Sequence, residues 1–288
     1  MVQHPDVRGF FDPVTHTVTY LVSDPTTGIA AIIDPVLDYD PGTARTSTRS
    51  VDAVTTALKA KGLTLGLVLE THAHADHLTA ADHLRVEQGV AIGIGDQITK
   101  VQSTFAPLFN AGDVTPDGTA FDHLYGDGDV FILGSLTVEV IHTPGHTPAC
   151  VSYRIGDAVF TGDTLFMPDF GTARTDFPGG DARTLYRSIQ RLFDLPGETR
   201  MFVGHDYLPK GRGDYRFETT VAEQRHANIH VRRGVTEDAF VTMREARDTT
   251  LDTPALILPA MQVNIRAGGL PPPDVDGRRY LRLPLNTL

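Results

Sequence analysis

Between Thr71 and His77 the chain reads Thr71-His72-Ala73-His74-Ala75-Asp76-His77, three imidazoles and a carboxylate in seven residues. Burying that many polar rings beside a charge is costly unless something charged receives them. The segment therefore restricts the chain to folds that gather these side chains around an ion, above all one or two divalent metals. The preceding residues narrow the choice further. Gly66 to Glu70 reads as a short buried strand, and the histidines begin where it ends. Sheets of α/β proteins carry their ligand sites at the carboxyl ends of strands, so the cluster is expected on a strand-to-helix loop. An isolated histidine is usually an ordinary surface or core residue, and His4, His16, His83, His123 and His226 are read that way.

The same arrangement recurs downstream. Leu136 to His142 runs into Thr143-Pro144-Gly145-His146-Thr147, where Pro and Gly impose a tight turn that aims His146 inward. Ala158 to Thr161 runs into Gly162-Asp163-Thr164-Leu165, and Met201 to Val203 into Gly204-His205-Asp206-Tyr207. Thr17 to Val22, Ile29 to Ile33 and Val151 to Arg154 are further strands. Two groups of motif-bearing strands imply two facing sheets. Helices are expected from Val51 to a stop at Gly62, behind an N-cap at Asp181 with Leu185, Ile189, Leu192 and Phe193 on one face, and over Thr219 to His230 and Thr236 to Arg247. Asp38 to Ser50 is expected to be a surface loop, and Leu270 to Asp274 an irregular Pro-rich tail.

At 288 residues and 41% hydrophobic, the chain has material for one large domain over 1–288. The net charge of -11 argues against a nucleic-acid partner, since such binding neutralises phosphates with Lys and Arg. Cys150 is the single cysteine, which excludes an internal disulfide and a cysteine-rich zinc site; it is expected to be a small buried hydrophobe. Met1 to Asp6 has no basic or apolar leader pattern, and no run is long and apolar enough for a membrane span, so a cytoplasmic protein is expected. A homodimer is the default assembly.

The order T-H-x-H-x-D-H, G-H-T, G-D, G-H resembles the metallo-β-lactamase superfamily over essentially the whole chain. That resemblance implies an α/β fold, a four-layer αββα sandwich with the metal between the sheet edges. Within the superfamily, Arg174-Thr175-Asp176-Phe177, Thr184-Leu185-Tyr186 and His205-Asp206-Tyr207 are similar to the signature of the glutathione-dependent persulfide dioxygenases. The Gly-Cys loop and Arg-Phe-Phe run of glyoxalase II are missing. The resemblance implies one Fe(II) on His72, His146 and Asp163, with O2 and glutathione persulfide as substrates and sulfite and glutathione as products. It implies Arg174 for a glutathione carboxylate and Tyr207 near the thiol portion. A guanidinium suits a carboxylate, so Lys210, Arg212, Arg216 and Arg266 are further candidates. The tail from Met261 to Asn286 resembles a longer bacterial branch labelled β-lactamase-like hydrolases, and the Asp38–Ser50, Met167–Ala173 and Lys210–Arg216 segments exceed those of the compact mitochondrial-type enzymes.

Two other readings stand beside this one. A dinuclear zinc thioester hydrolase would use Asp163 as a bridge, with Asp76, His77 and His205 as second-site ligands. A noncatalytic scaffold would use the fold alone.

Overall fold

The computed structural model of the chain describes residues 4–287, so the Met1–Gln3 part of the amino-terminal reading lies outside the described residues. β1 (Asp6–Phe11), β2 (Val18–Ser23) and β3 (Ile29–Ile33) form an antiparallel meander. Then come β4 (Val36–Asp40), β5 (Arg45–Ser47), α1 (Arg49–Ala60), β6 (Thr64–Leu69), β7 (Leu78–Thr79), α2 (Ala81–Gln88), β8 (Ala91–Gly95), α3 (Ile98–Leu108) and β9 (His123–Tyr125). β6 lies parallel to β3 with Ile33 opposite Leu69, and β8 and β9 extend the sheet in parallel, giving the order β1-β2-β3-β6-β8-β9.

The second half supplies β10 (Val130–Leu133), β11 (Leu136–His142), β12 (Val151–Ile155) and β13 (Ala158–Phe160), then α4 (Ala182–Phe193), β14 (Arg200–Phe202) and β15 (Glu218–Thr220). These six strands make the second sheet in sequential order. α5 (Val221–Ala227), α6 (Glu237–Asp248) and α7 (Ile257–Asn264) follow.

Three apolar layers explain the stacking. Val18, Tyr20, Ile33 and Leu69 of the first sheet meet Val138, Tyr153 and Phe160 of the second, closing a core between the sheets. The alternate residues of the first sheet, such as Ile32 and Val68, face outward onto Val54 and Leu58 of α1, Leu84 of α2 and Phe105 of α3. On the far side, Ile141 and Val159 pack against Leu185 and Ile189 of α4 and Phe240 of α6. The architecture is the expected αββα sandwich. No helix among the described residues is long and apolar enough to cross a membrane.

Two local expectations need correction. Asp38 to Ser50 is not a plain surface loop: β4 and β5 pair as a hairpin, and β4 also pairs with β7. The turn forms because Asp40 accepts hydrogen bonds from the Gly42 backbone at 2.9 Å and the Thr43 hydroxyl at 2.6 Å. Leu37 and Tyr39 then pack beside Ala260 and Val263 of α7, a helix the Pro-rich surroundings concealed. The helix expected over Thr219–His230 is confined to Val221–Ala227, between a Thr220 side-chain cap and Asn228, whose backbone is extended. The Asp181 cap of α4 is as expected, accepting from the Thr184 backbone at 2.6 Å.

Candidate metal centre

The first sheet brings Asp34, just past β3, alongside Thr71, just past β6, because the two strands are parallel and in register. Asp34 accepts the Thr71 backbone N–H at 2.7 Å and its hydroxyl at 2.8 Å. With that proton committed, the Thr71 oxygen accepts from His72 Nδ1 at 3.0 Å. The His72 ring therefore presents a bare Nε2 to the cleft. His74 turns its Nε2 to Asp34 at 3.1 Å and Glu70 at 3.4 Å, and Glu70 also receives the Thr79 hydroxyl. Burial alone would lower the His74 pKa, but Asp34 and Glu70 outweigh it and hold it well above the ordinary value. Burial raises Glu70 to about 7 despite that imidazole. Asn264, at the end of α7, donates to the carbonyls of His74 at 2.7 Å and His77 at 2.8 Å, satisfying the buried backbone of the histidine loop.

The second sheet supplies the opposing groups. Gly145 has φ +135°, and a Cβ there would lie 2.4 Å from the Leu185 backbone of α4, so glycine is what lets β11 end against that helix. His146 Nδ1 donates to the Arg174 carbonyl at 2.9 Å, which again leaves Nε2 bare. Asp163 sits in a one-turn 3-10 helix after β13. One of its oxygens, Oδ2, is 3.9 Å from His72 Nε2 and 3.7 Å from His146 Nε2. The other, Oδ1, is 3.3 Å from His205 Nε2, which lies 3.5 Å from Asp76. Asp76 is also 3.1 Å from His77 Nδ1 and accepts the Thr17 hydroxyl at 3.1 Å.

These donors suit a metal ion. His72, His146 and Asp163 each offer a ligand atom within 4.8 Å of the others, as do Asp76, Asp163 and His205. His72 Nε2, His74 Nδ1, His77 Nε2 and Asp163 Oδ1 are buried with no hydrogen-bond partner. Each such atom costs about 1–3 kcal/mol if left alone, and a coordinated cation removes that cost for those it touches. His4, His16, His83, His123 and His226 belong to no such group among the described residues.

A family model described as "Metallo-beta-lactamase superfamily" matches residues 12–205, the span that holds every one of these donors. The chain belongs to the metallo-β-lactamase superfamily. It is 52% identical over 98% of its length, and 99% of the other chain, to a "Probable metallo-hydrolase" of Burkholderia pseudomallei. To "Glyoxylase B2" of Dictyostelium discoideum it is 48% identical over 93% of its length and 92% of that protein's. With the human mitochondrial "Persulfide dioxygenase ETHE1" it shares 35% identity over 70% of its length and 68% of that protein's. A solved ETHE1 structure from Myxococcus xanthus superposes with a TM-score of 0.74, at 34% identity over 92% of this chain and all of that one.

Three of the candidate donors border a cavity of about 530 Å³. Asp76, His146 and Asp163 line its base, and Tyr39, Phe166, Phe170, Tyr207, Leu251 and Leu256 are among its walls. Tyr207 stacks on His205 at 5.4 Å between ring centroids and lies 4.9 Å from Phe170. Arg174 lines the wall, but its guanidinium is engaged: two nitrogens bind Asp176 at 2.5 and 2.6 Å and the third binds the Asp252 carbonyl at 2.7 Å. Arg212 pairs with Asp206 and Asp169, and Arg266 with Asp113, while Lys210 and Arg216 are exposed; none of these four lines the cavity. Cys150 is buried as expected, and burial pushes its thiol up to about 12, so it stays protonated.

Sequence reasoning missed Asp34, Glu70 and Asn264. Asp34 had a readable signal, a carboxylate closing a strand that ends as the histidine strand does. Asn264 had none, because what identifies it is the distant loop it bonds.

Proposed function

We propose that this chain is a persulfide dioxygenase that oxidises glutathione persulfide with O2 to sulfite and glutathione. The observation that carries the reading is the buried set of two imidazole Nε2 atoms and one carboxylate, His72, His146 and Asp163, of which His146 and Asp163 line a mostly apolar cavity and His72 lies buried beside them. His72, His146 and Asp163, two imidazoles and one carboxylate, would suit ferrous iron, which would supply the redox chemistry that joins dioxygen to the persulfide sulfur.

The protein's own contribution is placement. Tyr207 and Phe170 offer aromatic faces to a polarisable sulfur, and the apolar wall excludes competing water. Arg174 is positioned for a glutathione carboxylate, which would displace the Asp252 carbonyl from its outer nitrogen. In the overall reaction the terminal sulfur gains two oxygens from O2 and one from water as the S–S bond breaks. With the persulfide entering as its anion, one of the two protons that water brings ends on the glutathione thiol and the other is released with sulfite.

A second reading has its own observation. Asp163 Oδ1 faces His205 and Asp76, so one carboxylate reaches both donor groups as a bridge in a dinuclear zinc thioester hydrolase would, and the likeness to Glyoxylase B2 supports it. Metal analysis of anaerobically purified protein, joined to oxygen uptake and sulfite formation with glutathione persulfide, tests the proposal. One iron per chain and one O2 consumed per sulfite is the expected result. Two zinc ions and hydrolysis of S-lactoylglutathione without oxygen uptake would overturn it.

A further inference from the structure

The two imidazoles proposed to bind the metal are oriented by very different supports. His72 leans on Thr71 and Asp34, both at strand ends. His146 leans on a backbone carbonyl, that of Arg174, in a stretch between the 3-10 turn that holds Asp163 and α4 that belongs to no strand or helix. A carbonyl in such a stretch orients an imidazole only if the stretch is itself held.

It is held on both sides of Arg174, and from α6. Asp248 accepts the Thr175 backbone N–H and the Thr175 hydroxyl, each at 2.9 Å. Arg244, one turn earlier, binds Asp248 through Nε at 2.9 Å and Nη2 at 2.6 Å, and donates through Nη1 to the Thr172 carbonyl at 3.2 Å. Arg244 is 1% exposed and Asp248 6%. A buried ion pair is weak evidence for stability, because desolvating both charges consumes most of the attraction; well-packed apolar replacements often stabilise by comparison. Such a pair is better understood through the geometry it imposes. Here its two ends grip Thr172 and Thr175, and the carbonyl between them meets His146.

We infer that the Arg244–Asp248 pair positions His146, by fixing the Thr172–Thr175 stretch so that the Arg174 carbonyl holds the His146 ring with Nε2 toward the metal. Arg244 and Asp248 are positioning residues: Arg244 borders the cavity, but neither belongs to the metal-donor groups. The inference rests on His146 being a ligand, and it holds for either reaction considered above.

Cobalt(II) titration of the full-length, metal-depleted protein tests it, read by affinity and by the ligand-field spectrum without substrate. The informative variant is the double replacement Arg244→Met with Asp248→Leu, which keeps the site apolar and filled while removing the grip. Its expected behaviour is a melting temperature of the metal-free protein close to that of the parent, with about tenfold weaker cobalt binding and an altered spectrum, at the low end for groups that orient metal ligands. Thr175→Val removes only the hydroxyl bond and should weaken binding about twofold to threefold; it carries the test if the double variant is insoluble. Arg200→Met, which opens the remote pair with Asp157, should leave affinity and spectrum unchanged. His146→Ala separates the two layers of the argument. If it fails to weaken cobalt binding, the ligand assignment is wrong. If it does weaken binding while the α6 variants bind with parental affinity and spectrum, the positioning role is wrong.

Discussion

The two halves of the sandwich solve one problem, holding an imidazole with its Nδ1–H turned away and its Nε2 forward, by opposite means. In the first half the support is short and rigid: Asp34 and Thr71 are neighbours across two parallel strands, and His72 follows directly. In the second half the support is long: His146 depends on the Arg174 carbonyl, that carbonyl on Thr172 and Thr175, and those on α6 nearly a hundred residues from His146. The difference teaches that a strand-end side chain is positioned by the sheet's own hydrogen bonds, whereas a turn-borne one borrows rigidity from elsewhere. Ligands of the second kind should be the easier to disturb from a distance.

Breaking both supports at once should have the largest effect. Gly162 has φ +48°, and a Cβ there would lie 2.4 Å from the Thr71 hydroxyl oxygen, so Gly162→Ala forces apart the ends of both sheets beside Asp163. We expect a stability loss of about 3 kcal/mol or more and near-complete loss of bound metal, read by thermal unfolding and metal content.

Next, Asp34→Asn disturbs only the first half. It weakens the support of Thr71 and removes a charge from beside His74, for an expected loss of about 2–3 kcal/mol and metal affinity lowered about tenfold or more. An affinity unchanged by this variant would mean that the strand ends alone orient His72.

Acid should disturb the second half through His230. His230 accepts the Thr172 backbone N–H on Nδ1 at 3.1 Å, and burial, then Arg244, lowers its pKa from 6.5 to about 4. The unfolded chain therefore binds a proton that the folded one refuses, and stability is complete above about 6.5 and falls as pH drops from there toward 4. After discounting for partial exposure, the loss is about 2 kcal/mol between those limits. His230→Asn should flatten that portion of the stability-against-pH curve, and an unchanged slope would remove His230 from the chain of support.

Arg174→Ala sharpens the comparison by parting a side chain from its own carbonyl. Because His146 uses only the backbone at this position, metal affinity should stay within about twofold, while KM for glutathione persulfide rises about tenfold if the guanidinium meets a substrate carboxylate. A fall in metal affinity instead would mean that the side chain's bonds to Asp176 and Asp252 are what hold the carbonyl.

The smallest effect should come from Cys150→Ala. The thiol is buried and protonated, so about 1 kcal/mol of packing is lost and oxygen uptake per enzyme is unaltered.

The sandwich and its candidate metal donors were legible in the linear chain for a common reason. Each donor lies within a few residues of a strand end, so a hydrophobic run followed by a polar turn announces both the element and the group it delivers. The superfamily assignment and the αββα architecture followed from those motifs. Local signals misled where an element depends on a partner: the β4–β5 hairpin is completed by β7 and α7, and α7 exists against β7 and α3. At the centre, the sequence by itself determined which side chains can bind a metal. Only the tertiary structure decided how they are held. Asp34, Arg244 and Asp248 lie far along the chain from the rings they orient, as Asn264 does from the loop whose carbonyls it bonds, and the group that orients His146 is a peptide carbonyl, which every residue carries and no sequence distinguishes.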